Sequence, residues 1–472
     1  MKLGNLVLDS VRPIHIIGIG GIGMSGLAKL LHQNNYIVQG SDINENTQIK
    51  NLKQLGIEIF IGHDTSNIAR SQLVVKSSAI KSSNPEMVSA KEKSIPVISR
   101  AELLSNMILD KYNICITGAH GKTSTTSLIY STLQYLKETP TVICGGIINS
   151  INSNVHKGTS NINIIEADES DGTFLVLPTN IGVITNIDAE HLDYYGTIEN
   201  IIKTYQLFVD KVLLNDLLVA CNDCKYLEKI NTSYLGHPKY ITYGLSSKTA
   251  DIKAVNIRQL DNGLLFDVLI SQKFQKKINR SLSVIQDVIL NNFGQHNILN
   301  ALPSIAIALF KGVKQDAIKT ALLKTQGVKR RFSLISKVNG ISFIDDYAHH
   351  PHEIQVSLKM AKAYVNKSQG KVFAIFQPHR YSRFKELYAQ FLASFQMADY
   401  LLVLDVYSAG EEAIPQIDSK QFVHDISTDV KAFYCKDNTQ IIGIIRKYCK
   451  LGDYAIFMGA GSISEIAHNT IL

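Results

Sequence analysis

The chain has 472 residues, 45% of them hydrophobic, with 48 Lys and Arg against 41 Asp and Glu for a formal net charge of +7. That length suits about three domains at roughly 150 residues each. A mild positive charge without a dense Lys/Arg block suits anionic small substrates and argues against a nucleic-acid partner. No apolar run reaches the ~18 residues of a membrane span, and "MKLGNLVLDSVRP" has no apolar stretch before a small-residue cleavage site. The expectation is a cytoplasmic enzyme without a membrane partner.

Short apolar runs recur along the chain: "HIIGIG" (15–20), "LVV" (73–75), "NICITG" (113–118), "INIIEAD" (162–168), "IGVITNID" (181–188), "KVFAIF" (371–376), "YLLVLDV" (400–406) and "YAIFMGAGS" (454–462). Each is followed by a polar or glycine-rich stretch and then a helical pattern. Such alternation predicts an α/β fold of parallel sheets covered on both faces by helices, with ligands at the carboxyl ends of the strands. The stretch 240–290 alternates differently and reads as an antiparallel edge or small subdomain. Fresh strand–helix series begin near 107–112 and near 325–331.

The first run stops at a G-x-G-x-x-G turn, Gly18, Gly20 and Gly23, with Asp42 about 20 positions later. Taken alone this spacing says NAD, and a nicotinamide oxidoreductase is one reading. A second loop changes the question. "NICITGAHGKTSTTS" (113–127) runs from a strand through Gly118-Ala119-His120-Gly121-Lys122-Thr123-Ser124 into a helix. Inward backbone N–H groups, a helix N-terminus, a lysine for β/γ oxygens and a hydroxyl for Mg²⁺ make a phosphate site, shorter than a standard Walker loop. A dehydrogenase does not need it; an enzyme using ATP on a substrate that carries its own diphosphate needs both.

Carboxylates cluster after the next two strands: Glu166, Asp168, Glu169 and Asp171, then Asp188, Glu190 and Asp193 beside Asn186 and His191. Clustered carboxylates are costly unless a cation offsets them, so a divalent-metal site competes with a solvated acidic loop. Arg380 and Arg383 in "QPHRYSRF" lie one turn apart if "YSRF" opens a helix, and two guanidinium forks suit one carboxylate. The histidines of "DDYAHHPHE" (345–353) read as metal ligands or as hydrogen-bonded loop histidines. Cys221 and Cys224 form a C-x-x-C pair without a second pair or histidines at ligand spacing, so buried thiols are expected rather than zinc.

Taken together, "HIIGIGGIGMSGLA", "GAHGKTS", "EADESDGTF", "TNIDAEHLDYYG", "GQHNILNAL", "RRF", "DDYAHHP", "QPHRYSR" and "GAGSI" resemble the bacterial Mur ligases of peptidoglycan assembly, and "DDYAHHP" and "QPHRYSR" favour their alanine-adding branch. The motifs keep family order from residue 14 to 463, so the resemblance covers essentially the whole chain. It implies three domains: a UDP-binding Rossmann-like domain (1–108), a central P-loop ATPase-like domain (109–326), and a Rossmann-like amino-acid-binding domain (327–472) that closes over the site. It implies ATP with Mg²⁺ or Mn²⁺, and UDP-N-acetylmuramate and L-alanine as small-molecule substrates of a monomer or homodimer.

By matching motif, Lys122 contacts ATP phosphates within the loop Gly118 to Ser124. Thr123 and Glu166 hold one metal, with Glu169 the alternative to Glu166, and His191 holds a second. Asn297, Arg331 and Asp346 contact the nucleotide. Tyr347, His350, Arg380 and Arg383 line the alanine site, with His350 a possible base. Gly18, Gly20, Gly21, Gly23, Asp42, His63 and Ser78 are the UDP candidates. The family loop usually carries threonine where Ala119 stands, and often threonine at Ser382. The rival within the family attaches a recycled peptide to the same sugar nucleotide.

Overall fold

The computed structural model describes residues 2–3, 6–77, 79–170, 172–234, 236–260, 263–292, 294–426 and 430–471. They form two compact units, Met1–Gly327 and Val328–Leu472. In the first, a short antiparallel pair, β1 (Lys2–Leu3) and β2 (Leu6–Val7), precedes five parallel strands. These are β3 (Ile14–Ile17), β4 (Val38–Asp42), β5 (Glu58–Ile61), β6 (Leu73–Lys76) and β7 (Val97–Ser99), in the order β5-β4-β3-β6-β7. The chain winds one way from β3 to β5, then crosses to β6 on the other side. The crevice beside the end of β3, where Gly18 follows, is therefore the switch point at which such sheets bind ligands.

A ten-stranded sheet follows: β8 (Tyr112–Thr117), β9 (Thr141–Ile148), β10 (Ser153–His156), β11 (Ile162–Glu166), β12 (Ile181–Ile184), β13 (Leu217–Cys221), β14 (Tyr240–Gly244), β15 (Ile252–Leu260), β16 (Gly263–Ile270) and β17 (Val284–Leu290). Its order is β10-β9-β11-β8-β12-β13-β14-β15-β16-β17. The strands from β9 to β15 pair in parallel, while β10 and the β15–β17 meander make antiparallel edges. The expected antiparallel edge is there, but it starts later than 240. The run "YITYG" is β14, a parallel strand, and all five of its residues are buried, as a strand covered on both faces must be. The central β8 lies between β11 and β12, so the ends of these three strands bring the phosphate loop, Glu166 and Asn186 to one edge.

Both sheets of this unit share one hydrophobic core, which runs from Leu8, Ile14 and Leu27 through Ile116, Ile129 and Ile164 to Ile305 and Leu322. The helix Ile22–Gln33 packs on β9 and β10, and the Asn154 amide of β10 donates to the Ile22 carbonyl at 2.8 Å.

The second unit holds β18 (Ser333–Val338), β19 (Ile341–Asp346), β20 (Val372–Phe376), β21 (Tyr400–Val403), β22 (Lys431–Tyr434) and β23 (Tyr454–Met458), ordered β18-β19-β23-β20-β21-β22. Only the β18–β19 hairpin is antiparallel. Two separate apolar clusters back the sheet, one around Ile354, Phe376 and Phe422, the other around Phe373, Phe457 and Ile463. Among the described residues no helix is long and apolar enough to cross a membrane.

Candidate active site

The glycine turn after β3 is built on β4. Gly18 N–H donates to Ser41 O at 2.8 Å, and Gly20 N–H donates to Asp42 Oδ2 at 2.8 Å. Asp42 thus pins the turn through one of its oxygens. Gly21 caps the helix Ile22–Gln33 without any side-chain cap, and Gly23 is the second residue of that helix. The amides of a helix's first turn have no partner within the helix and suit an anion. His63 Nδ1 lies 3.1 Å from Ser41 Oγ and 3.4 Å from Glu86 Oε2. Glu86 is fully buried and also meets Ser41 Oγ at 2.6 Å and His15 Nε2 at 3.2 Å. Burial alone would raise its pKa, but His15, Ser41 and Asn67 outweigh it and hold the carboxyl below its usual range. Ser78 lies outside the described residues.

The second loop joins β8 to the helix Lys122–Leu133. Gly118 has φ +134°, and a Cβ there would lie 2.0 Å from Thr185 Oγ1 and 2.9 Å from Asn186 O. Gly118→Ala is therefore expected to destabilise the first unit by about 2 kcal/mol or more and to weaken ADP binding, as read by thermal unfolding and calorimetric titration. The amides of Ala119 and His120 bond to Asn186, at O (3.3 Å) and Oδ1 (2.8 Å). Asn186 thus shapes the loop, and the amides of Lys122, Thr123 and Ser124 open a helix that no side chain caps. His120 Nε2 sits 3.2 Å from Asp188 Oδ2. Asn297 is the third residue of the helix Gln295–Phe310, and its Oδ1 accepts from Asn300 Nδ2 at 3.1 Å. Asn300 Oδ1 in turn lies 2.4 Å from the Cβ position of Gly121, so this helix end borders the loop.

Lys122 Nζ donates to Gly118 O at 2.6 Å, Ala119 O at 3.1 Å and Glu169 Oε1 at 2.8 Å. Burial works against its charge, but Glu169, Glu166 and Asp168 outweigh it and raise its pKa. Glu169 Oε1 also meets His191 Nε2 at 3.5 Å, and this contact raises the His191 pKa against the opposing effect of burial. Thr123 Oγ1 donates to Glu166 Oε1 at 2.9 Å, while Gly145 N–H donates to Glu166 Oε2 at 2.6 Å.

The structure therefore sorts the expected metal ligands into two sets. Thr123 and Glu166 touch directly. His191 joins Glu169 and Glu190, whose ligand atoms with its own all lie within 4.8 Å of one another. Oxygen-rich sets of this kind fit Mg²⁺, and a histidine in the second set suits Mn²⁺ as well. Asp171 and the side chain of Asp193 lie outside what the structure describes. Cys224 Sγ accepts from Ile187 N at 3.3 Å, a structural contact.

In the second unit Arg380 caps the helix Tyr381–Glu386, with Arg383 one turn on, as the sequence predicts. Arg380 Nε lies 3.3 Å from Glu411 Oε1, and Glu411 also accepts from Ser382 N (3.0 Å) and Oγ (2.7 Å). Arg383 Nη1 donates to His379 Nδ1 at 3.4 Å. Burial and the nearby Arg383 push the His379 pKa down to about 4, so the ring is neutral near pH 7 and accepts that bond. His349 is also pushed down, chiefly by burial. His350 caps the helix Pro351–Ser368, and its N–H donates to Glu353 Oε2 at 3.3 Å. Tyr347 lies beneath the Arg330 and Arg331 guanidinium groups, at 4.8 and 5.6 Å from ring centre. Asp346 is buried at the end of β19 and accepts from Ala348 N (2.9 Å) and Ser357 Oγ (2.7 Å).

Sequence reasoning missed Glu86, Arg100, Asn300 and Glu411. Glu411, in "YSAGEEA" just after β21, was the most findable, as a carboxylate past a strand end. Arg100, in "SRAELL", carried no signal beyond its position at a helix start.

Three family models match in series: "Mur ligase family, catalytic domain" over residues 13–112, "Mur ligase middle domain" over 116–308, and "Mur ligase, glutamate ligase domain" over 330–461. A protein of Rickettsia massiliae named UDP-N-acetylmuramate–L-alanine ligase is 42% identical, covering 98% of this chain and 94% of its own. One from Rickettsia bellii with the same name is also 42% identical, covering 98% and 96%. A solved UDP-N-acetylmuramate–alanine ligase from Thermotoga maritima superposes with a TM-score of 0.81 at 29% identity, covering 98% of both chains. A murein peptide ligase from Psychrobacter arcticus, at 22% identity and a TM-score of 0.70, shares the fold. With consecutive family models along nearly the whole sequence and relatives of this similarity, the chain belongs to the Mur ligase family.

Proposed function

We propose that this chain is an ATP-dependent ligase that joins L-alanine to the lactyl carboxylate of UDP-N-acetylmuramate, releasing ADP and phosphate, in the cytoplasmic synthesis of peptidoglycan precursors. The observation that carries this reading is the pair of phosphate-type turns within one compact unit, the second with Lys122 set on an acidic cluster. The names of the 42% identical relatives support it. Domain limits at 108/109 and 326/327 belong to the same proposal.

A carboxylate is a poor acyl donor because oxide does not leave. Transfer of the γ-phosphoryl of ATP makes an acyl phosphate, and the alanine amine then displaces phosphate through a tetrahedral intermediate. Lys122 and the helix start at Thr123 and Ser124 hold the ATP phosphates and stabilise charge on the transferring group. Thr123 and Glu166 would hold one Mg²⁺ or Mn²⁺, and His191 with Glu169 and Glu190 a second; bound there, such ions neutralise phosphate oxygens. Asn297, Arg331 and Asp346 are assigned to the nucleotide, and Gly18 to Gly23, Asp42 and His63 to UDP. Arg380 and Arg383 orient the alanine carboxylate, beside Tyr347, so that its amine meets the acyl carbon. The contact of Arg380 Nε with the Glu411 carboxylate, at 3.3 Å, supports this assignment. A base takes the proton from the alanine ammonium, His350 being one candidate and the substrate or water the others.

The test is ADP release with L-alanine, glycine, L-serine or a recycled tripeptide in turn, with and without UDP-N-acetylmuramate. Turnover should need the sugar nucleotide and be fastest with L-alanine. Turnover with the tripeptide but not L-alanine would move the chain to peptide recycling, and no turnover with any of them would overturn the ligase reading.

A further inference from the structure

Arg100 lies beside the first glycine turn and reaches Asp168 beyond the end of β11, although no motif points to it. It is the first residue of the helix Arg100–Met107, whose start is fixed by the reciprocal pairing of Ser99 and Glu102. Its backbone is therefore anchored, and its side chain reaches in two directions. Nη2 lies 3.2 Å from Asp168 Oδ2, and Nη1 lies 2.4 Å from where a Cβ on Gly23 would be. A guanidinium that close to the second residue of the helix Ile22–Gln33 covers the first turn of that helix, where the glycine turn presents its amides.

Charge makes this placement matter. Among the described residues, the side chains nearest Gly18, Gly20 and Gly23 are Ser77, Ile80, Asn46, Asp42, Ile49 and Arg100. Of these, Asp42 is an anion and Arg100 is the one cation. The helix N-terminus offers only about half an elementary charge. A diphosphate diester brings two negative charges to a turn that already holds the Asp42 carboxylate. The Arg100–Asp168 pair is open to water, with side chains 33% and 40% exposed. Pairs that exposed are weak, whereas arginine's fork binds phosphate oxygens with two parallel, charge-assisted bonds.

We propose that Arg100 is a diphosphate-binding residue, donating to the diphosphate of the sugar nucleotide in exchange for its contact with Asp168. This rests on the sugar-nucleotide reading of the first turn, and the test separates the two. The full chain, with its other phosphate loop saturated by ADP, is titrated calorimetrically with UDP and with uridine, which lacks the diphosphate. The unaltered chain should bind UDP more tightly than uridine. Arg100→Met should weaken UDP binding about tenfold or more and leave uridine binding unchanged, with Arg100→Lys in between. Asp168→Asn should bind UDP as tightly as the unaltered chain or more so, because a competing anion is gone. Undiminished UDP binding in Arg100→Met would overturn the proposal. Equal losses in Arg100→Met and Asp168→Asn would also overturn it, since the pair would then act only as a strap. An unaltered chain that binds UDP no better than uridine would instead overturn the sugar-nucleotide reading.

Discussion

Lys122→Ala should lower kcat/KM for phosphate release with UDP-N-acetylmuramate, L-alanine and ATP by more than 100-fold. Loss of one preorganised electrostatic group costs about 3 kcal/mol or more of transition-state stabilisation, and each 1.36 kcal/mol is tenfold in rate. The geometry makes Lys122 such a group. Its Nζ gives its three donors to Gly118 O, Ala119 O and Glu169, so an arriving phosphate replaces one of these partners while the others keep the ammonium in place. The variant also leaves Glu169, itself buried, with His191 but without its lysine. Circular dichroism on the same sample distinguishes lost chemistry from lost fold. A folded Lys122→Ala chain with near-parental phosphate release would sink the phosphate-loop reading.

The second large effect is on stability. Burial pushes the Asp346 carboxyl from an ordinary 3.8 up to about 6, against the hydrogen bonds of Ser357 and Ala348. A raised carboxyl pKa means the folded state holds its proton more tightly than the unfolded state does. Its contribution is therefore full below pH 4. It is lost as pH rises through 4 to 6, where the unfolded chain ionises first, and is level above that. A gap of that size corresponds to about 3 kcal/mol. Asp346→Asn stays neutral throughout, so the unit Val328–Leu472 should unfold at higher temperature than the parent at pH 7.5, and the advantage should vanish near pH 4. Asp345, also raised by burial, is present in both proteins and cancels in the difference. Parallel stability–pH profiles for parent and variant would contradict this account.

Much of the architecture is legible in the sequence because a parallel strand covered on both faces must be continuously apolar. The runs at 113–118, 181–188 and 371–376 became β8, β12 and β20 for that reason. The start of the antiparallel edge was misplaced because buried β14 and the half-exposed β15 look alike over five residues. Local motifs located Lys122, Thr123, Arg380 and Arg383 correctly at helix starts, since capping and phosphate geometry are written in adjacent residues. Pairings across long sequence separations were not legible: Lys122 to Glu169, Arg100 to Asp168, and His63 to Glu86. Strand order decides which chain segments meet, and residue spacing does not encode it. For the same reason nothing in the sequence showed that the first two sheets would bury one common core.

That common core has a thermodynamic consequence. If a cooperative unit unfolds as a whole, a ligand on one part of it stabilises every other part by mass action. A sugar nucleotide held at Gly18–Gly23 would thus protect the loop Gly118–Thr123 against unfolding of the whole unit, by roughly 2.7 kcal/mol at a hundred times its dissociation constant. The two turns need no dedicated pathway of moving residues to sense one another. Leu27 and Ile129 belong to one apolar interior, so occupancy at the first turn should raise the unfolding temperature of the second as well, in one shared transition.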